Sequence, residues 1–145
     1  MLAENPRARF DYDILETLEA GLALQGQEVK ATRTGKASIK GSYVKIFNNE
    51  AYLVGAQIAP YQPGNAPADY DPQRTRKLLL KKSELKYLVG KSQERGLTLI
   101  PLKLYDHHGL IKLALGVGRG KKKYDKRAAT AKREVERTMR RALKS

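Results

Sequence analysis

The last 27 residues cannot be folded by the rules that fold the rest of this chain. Residues 119–145 read RGKKKYDKRAATAKREVERTMRRALKS, with twelve Lys or Arg against three acids, and they supply about +9 of a net charge of +14. Their apolar residues are too few to bury a core. From Ala128 onward Ala131, Val135, Met139 and Leu143 recur every four residues, a thin stripe that predicts a segment disordered alone and helical when bound. The chain therefore divides into a body, residues 1–118, and a basic C-terminal tail, residues 119–145. A cationic segment hung on a compact body suits a polyanion. An anionic membrane would require a lipidation site or a bulky apolar helix face, and neither is visible. Nucleic acid is the best fit.

The body is long enough for one domain with a real core. Residues 1–9 are polar and read as an extended arm. Residues 10–24 (FDYDILETLEAGLAL) alternate, with Tyr12, Ile14 and Leu18 on one parity and Gly21 marking a bulge or bend. Residues 25–34 predict a short helix stopped by Gly35. Residues 41–47 and 50–58 predict a hairpin turned at Asn48 and Asn49. Four prolines fall within residues 59–73, a long loop. Leucine spacing over residues 74–95 predicts helix, with Ser83 as the N-cap of a second piece and Gly96 as its stop. Residues 97–105 predict a strand bulged or placed at an edge by Pro101. Residues 106–109 form a turn, and 110–117 alternate, with Ile111, Leu113, Leu115 and Val117 on one face. Gly116, Gly118 and Gly120 loosen the chain before the tail. Mainly β with flanking helices, this pattern predicts a closed antiparallel barrel of the oligonucleotide-binding (OB) type.

The chain has no cysteine, so disulfides and thiolate metal sites are excluded. Its start has no apolar run of the signal-peptide kind, and no stretch approaches the ~20 apolar residues that span a bilayer. The expected location is the cytoplasm.

Candidate constellations are mostly basic. Lys121, Lys122, Lys123, Lys126 and Arg127 surround Tyr124. Cations neutralise phosphates and an aromatic among them can stack on a base. Arg74, Arg76, Lys77, Lys81 and Lys82 form a second patch, read equally well as a solvated helix face. Glu28 could accept from base amino groups, although its spacing favours a local ion pair with Lys30 or Arg33. His107 and His108 are turn residues, since adjacent side chains seldom point at one metal. Asp69 and Asp71 lack the scaffold that paired acid–base catalysis needs, and GVGRG lacks the strand–helix context of a dinucleotide site. No nucleophile, metal set, cofactor site or phosphate-cradling loop is visible. The chain reads as a binder and not an enzyme.

Five strings, in order, resemble one family. They are NPRAR at 5–9 with YDI at 12–14; EAGL at 19–22 followed by QGQEVK at 25–30; RTRKLLL at 74–80; GLTLIPLKLY at 96–105; and LGVGRGKKKYDKR at 115–127. Together they look like the small protein B (SmpB) family, the SsrA-binding proteins of bacteria. The resemblance implies an OB-type barrel that binds the tRNA-like domain of transfer-messenger RNA (tmRNA). It implies delivery, with elongation factor Tu and the aminoacylated RNA, to ribosomes stalled without a stop codon. There the tail would occupy the small-subunit decoding centre and the empty mRNA channel, and the nascent chain would be tagged. Such a tail binds only where mRNA is missing, because the two compete for one volume. A monomer is expected.

Carried over by motif, contact with the tRNA-like domain falls to Asn5, Arg7, Glu28, Lys30, Arg33 and Lys103. Contact with the ribosome falls to Gly120, Lys121, Lys122, Tyr124, Asp125, Lys126 and Arg127. Tyr124 stands where many relatives carry His; its ring can stack but cannot hold a positive charge. Phe10 also replaces a usual His, which suggests packing there. The competing readings are a generic OB-type single-strand nucleic-acid binder, which should expose several aromatics, and a permanent ribosomal protein.

Overall fold

The computed structural model describes residues 1–65 and 67–121; the expectations for Lys122, Tyr124, Asp125, Lys126 and Arg127 lie outside the described residues. Along the chain come β1 (Ala3–Glu4), α1 (Ala8–Asp11), β2 (Tyr12–Leu22), α2 (Gly26–Arg33), β3 (Ala37–Ser38), β4 (Tyr43–Phe47), β5 (Glu50–Val54) and β6 (Gln57–Ile58). Then come β7 (Arg76–Leu79), α3 (Lys82–Gln93), β8 (Leu97–His107) and β9 (Leu110–Gly120). The architecture is mainly β, antiparallel throughout, with the sheet order β1-β8-β9-β2-β7-β5-β4 and a separate β3–β6 pair.

The sheet is not closed into the expected barrel. It curls until β4 meets β8, but no hydrogen-bonded ladder joins them. The outer edge of β8 is otherwise engaged. Pro101 has no N–H to donate, β1 pairs at Lys103 and Leu104, and Asn5 takes the carbonyls of Pro101 and Leu102 at 3.0 and 2.9 Å.

Two bulges shape the body. In β2 the register with β9 shifts between Ile14 and Glu16, and in β8 it shifts between Pro101 and Lys103. The β2 bulge falls at Leu15, not at Gly21, which pairs in register with Leu79. A one-residue slip reverses the faces, so Ile14 and Leu18 share a parity in sequence but not a face in space. Leu18 joins the main core with Leu113, Leu115 and Val117, while Ile14 packs outside it with Ala8, Ile100 and Leu102. Gly116 and Gly118 belong to this outer cluster and do not loosen the chain. A Cβ on Gly118 would stand 2.5 Å from the Asp13 carbonyl oxygen. Strand β9 continues to Gly120, and the Lys121 N–H still donates to the Asp11 carbonyl at 2.8 Å.

The α2 helix, the turn at Asn48 and Asn49 (φ 50° and 59°) and the helix before the last strand pair match expectation. The predicted strand over 50–58 breaks at Gly55, φ 82°. Residues 74–81 differ most. Instead of helix, Arg76–Leu79 within them form β7, alternating buried Arg76, exposed Lys77, buried Leu78 and exposed Leu79. A buried cation and an exposed leucine invert the hydropathy code, and so hide a period of two. Helix α3 starts after Lys81, whose N–H donates to Glu84 Oε1 at 3.1 Å; Ser83 is not its cap.

Candidate nucleic-acid interface

The α2 helix is held by a charge cluster that its sequence neighbours do not supply. Glu28, at its third position, is 1% exposed. Its carboxylate accepts from the Gln25 N–H at 2.9 Å, closing the helix start. Arg76 donates to Oε2 from Nε at 2.9 Å and Nη2 at 2.7 Å. Arg74 donates to Oε2 from Nε at 3.1 Å, and its Nη2 pairs with Oε1. Burial alone would raise the Glu28 pKa; the hydrogen bonds from Arg74, the Gln25 backbone and Arg76 outweigh it and hold the carboxyl below the usual range. Neither Lys30 nor Arg33 is its partner.

The two arginines spread the cluster into the surrounding chain. Arg76 also donates to the carbonyls of Ala56, Arg74 and Pro72, each at 3.0 Å. Arg74 reaches the Ala23 carbonyl at 3.1 Å. Tyr70 donates its hydroxyl to the Ile58 carbonyl at 2.7 Å and lies 3.3 Å from Glu28 Oε2. Every buried side-chain polar atom among the described residues is satisfied. Glu28 therefore has no oxygen left to offer RNA, and the expected direct contact is not open to it. Its role is to pin the long loop and β7 against α2. Arg76 likewise leaves the surface patch in which its spacing seemed to place it, and Arg74 turns inward while staying partly exposed.

What α2 does present is Lys30, exposed beside Tyr61 and Gln62 in a shallow hollow of about 310 Å³. Lys36 flanks the same loop, with Nζ 2.9 Å from the Tyr61 carbonyl and 5.8 Å from its ring. Arg33 reaches across to the β8–β9 turn. Its Nε donates to Asp106 at 3.0 Å, and Nη2 donates to the Gly109 carbonyl.

The remaining body residues gather at the N-terminal arm, which is not free but stapled to the β8 bulge by Asn5. Arg7 leans over the Phe10 ring at 4.5 Å and pairs with Asp11 at 3.3 Å, so Phe10 packs as its substitution for His suggests. The arm is a ridge between two clefts. One, of about 400 Å³, holds Arg7 and Lys40 at the open β4–β8 seam; the other, of about 470 Å³, holds Arg9 and Lys103. Lys103 is exposed, with Nζ 5.6 Å from the Tyr105 ring. Burial, and then the hydrogen bond to Glu19, push the Tyr105 hydroxyl up to about 12, so that ring stays neutral beside the lysine. Strand β8 links both groups: Asn5 binds at 101–102, Lys103 follows, and Arg33 binds at Asp106.

The tail leaves from the same end. Lys121 Nζ donates to the Arg9 carbonyl at 2.8 Å, and Gly120 pairs with Tyr12. Lys40 and Arg9 escaped sequence reasoning because nothing in their neighbourhoods marks a cleft that only folding creates. Among the described residues no group of three or more His, Asp or Glu could hold a metal ion, and no helix is long and apolar enough to cross a membrane.

This geometry has known relatives. The family model described as SmpB protein matches residues 2–145. The SsrA-binding protein of Staphylococcus epidermidis is 51% identical over 99% of this chain and 92% of its own length. That of Thermosynechococcus vestitus is 49% identical over 99% of this chain and 95% of its own. A solved chain described as "tmRNA-SmpB: a journey to the center of the bacterial ribosome" matches with a TM-score of 0.67 and 49% identity, over 88% of this chain and 92% of that one. A family match along almost the whole sequence, at an identity that preserves fold and motif together, places this chain in the SmpB protein family.

Proposed function

We infer that this chain is an RNA-binding protein of trans-translation, which binds tmRNA and acts with it on the ribosome. The observation that carries this is its likeness, in sequence and in fold, to the chain solved in the tmRNA–SmpB work. The surface chemistry supports it. A net charge of +14 accompanies clefts on either side of the arm in which two basic side chains outnumber one acid, Arg7 and Lys40 against Asp11 and Arg9 and Lys103 against Glu4, and a lysine hollow on α2. Folded RNA is met mostly through phosphate, shape and 2′-hydroxyl contacts, and these features offer donors without a deep pocket.

On this reading the body docks the tRNA-like domain through Arg7, Lys30, Arg33 and Lys103, with Asn5 holding the arm and Glu28 holding α2. The tail enters the decoding centre and empty mRNA channel, with Gly120 and Lys121 at the point of departure from β9 and Lys122, Tyr124, Asp125, Lys126 and Arg127 against ribosomal RNA. The chain works as a cytoplasmic monomer beside elongation factor Tu and catalyses nothing itself. The test is reconstituted translation on ribosomes stalled at the end of an mRNA without a stop codon. Tagging of the nascent chain that requires this protein supports the reading; tagging that proceeds equally without it refutes the reading.

A further inference from the structure

The outward face of the β4–β5 hairpin carries a feature that the reading above does not use. Val44, Ile46, Ala51 and Leu53 point into the core, and the alternate positions point out. Tyr43 is 52% exposed and Phe47 57% exposed. Between them stands exposed Lys45, directly opposite Tyr52 on β5. Three rings thus surround one lysine on a single sheet surface, and with Val54 and Thr75 they line an open hollow of about 370 Å³. The rings make no stacking contact with one another or with any other described residue. Lys45 has no carboxylate partner among the described residues. The one acid that β4 and β5 present there, Glu50, is held by Lys77 at 3.6 Å.

Sheets bury aromatics where they can, so two exposed rings and a half-buried third around an unpaired cation suit a partner that offers flat π-faces and negative charge together. Unpaired bases on a phosphate chain offer both. An apolar protein surface would bury the rings but strand the lysine. We propose that the Tyr43–Phe47–Tyr52 face is a second RNA-contacting surface, which stacks two or three unpaired bases of a single-stranded segment while Lys45 takes an adjacent phosphate. It meets the cleft at the β4–β8 seam through Tyr43, which lines both. The proposal stands apart from the docking of the tRNA-like domain and does not need it.

The test must separate stacking from the phosphate attraction of the basic tail. Fluorescence anisotropy of the full chain is measured with a labelled twelve-nucleotide oligoadenylate and with the same backbone made abasic. Charge is equal, so only base contacts distinguish them. The intact protein should prefer the base-bearing oligonucleotide by on the order of tenfold. Tyr43→Thr/Phe47→Thr/Tyr52→Thr should abolish the preference while leaving abasic binding unchanged. Tyr43→Phe/Tyr52→Phe, which keeps the rings and guards against a folding defect, should retain it. Equal affinity of the intact protein for the two probes overturns the proposal, as does a preference that survives the threonine variant. Ring-dependent self-association in sedimentation, without base preference, would overturn it too and assign the face to a second copy of the chain.

Discussion

Arg76 grips one oxygen of Glu28 with two nitrogens, at 2.9 and 2.7 Å, and neither side chain is exposed to solvent. Removing one partner of such a pair leaves a buried charge uncompensated and costs about 3–5 kcal/mol. Glu28→Ala should therefore lower stability by that order in urea unfolding. Arg74→Met should cost less, because Arg74 is partly exposed and can rehydrate. Loss of tmRNA binding in Glu28→Ala should follow from displacement of α2 and the loop that carry Lys30 and Tyr61. A stabilising osmolyte that restores the fold should restore binding. Weak binding by a refolded variant whose α2 and loop keep their native positions would instead mean that the carboxylate touches RNA.

The same pair sets a pH dependence. The folded Glu28 pKa lies below its ordinary value of 4.5, held down by its bonds to Arg74, Gln25 and Arg76 against the opposing effect of burial. A depressed carboxylate contributes stability that is full above the unfolded pKa and is lost as pH falls through the folded one. Stability should thus decline from about pH 4.5 downward, and Glu28→Gln should flatten that part of the profile. An unchanged acid limb in Glu28→Gln would contradict this.

Gly118 is a steric requirement. A Cβ there meets backbone, the Asp13 oxygen at 2.5 Å, whereas one on Gly116 meets only side-chain ends, Ile14 Cγ2 at 3.1 Å and Leu102 Cδ1 at 3.3 Å. Gly118→Ala should destabilise by about 1–3 kcal/mol and Gly116→Ala by less. Thermal melts that rank them the other way would show that the β2–β9 contact yields more easily than its geometry implies.

Exposed lysines should behave oppositely to Glu28. Lys30→Ala and Lys103→Ala remove no buried contact, so stability should change by no more than about 0.5 kcal/mol. Each should weaken tmRNA binding and reduce the slope of log K against log salt by about one if it meets a phosphate. Unchanged salt slopes would take both residues out of the interface.

Truncation after Lys121 keeps β9 and both bonds of Lys121 to the arm. Binding of isolated tmRNA should survive it and tagging on stalled ribosomes should not. Tagging by the truncated chain would remove residues 122–145 from the mechanism.

Sequence patterns reveal what repeats locally and miss what folding brings together. The β9 alternation, the α2 stop at Gly35 and the Asn48–Asn49 turn were legible because each is written within a few residues. Strand β7 was not, because Arg76 is apolar-like only in company with Glu28, 48 positions earlier. The Leu15 bulge was hidden for a similar reason: it is a mismatch between two strands, and neither strand alone records it. Among the candidate site residues, motif resemblance selected Glu28 but could not say which way it points. A residue kept for holding an interface and one kept for touching it look alike in one dimension.

The most direct measurement is a competitive gel shift at about physiological salt, where non-specific phosphate binding is weakened. The full chain is titrated against labelled tmRNA in the presence of excess unrelated structured RNA. Retention of the complex is the expected result and establishes selective recognition of tmRNA by the protein. Complete loss to the competitor would leave a basic protein attracted to phosphate, and would contradict the assignment.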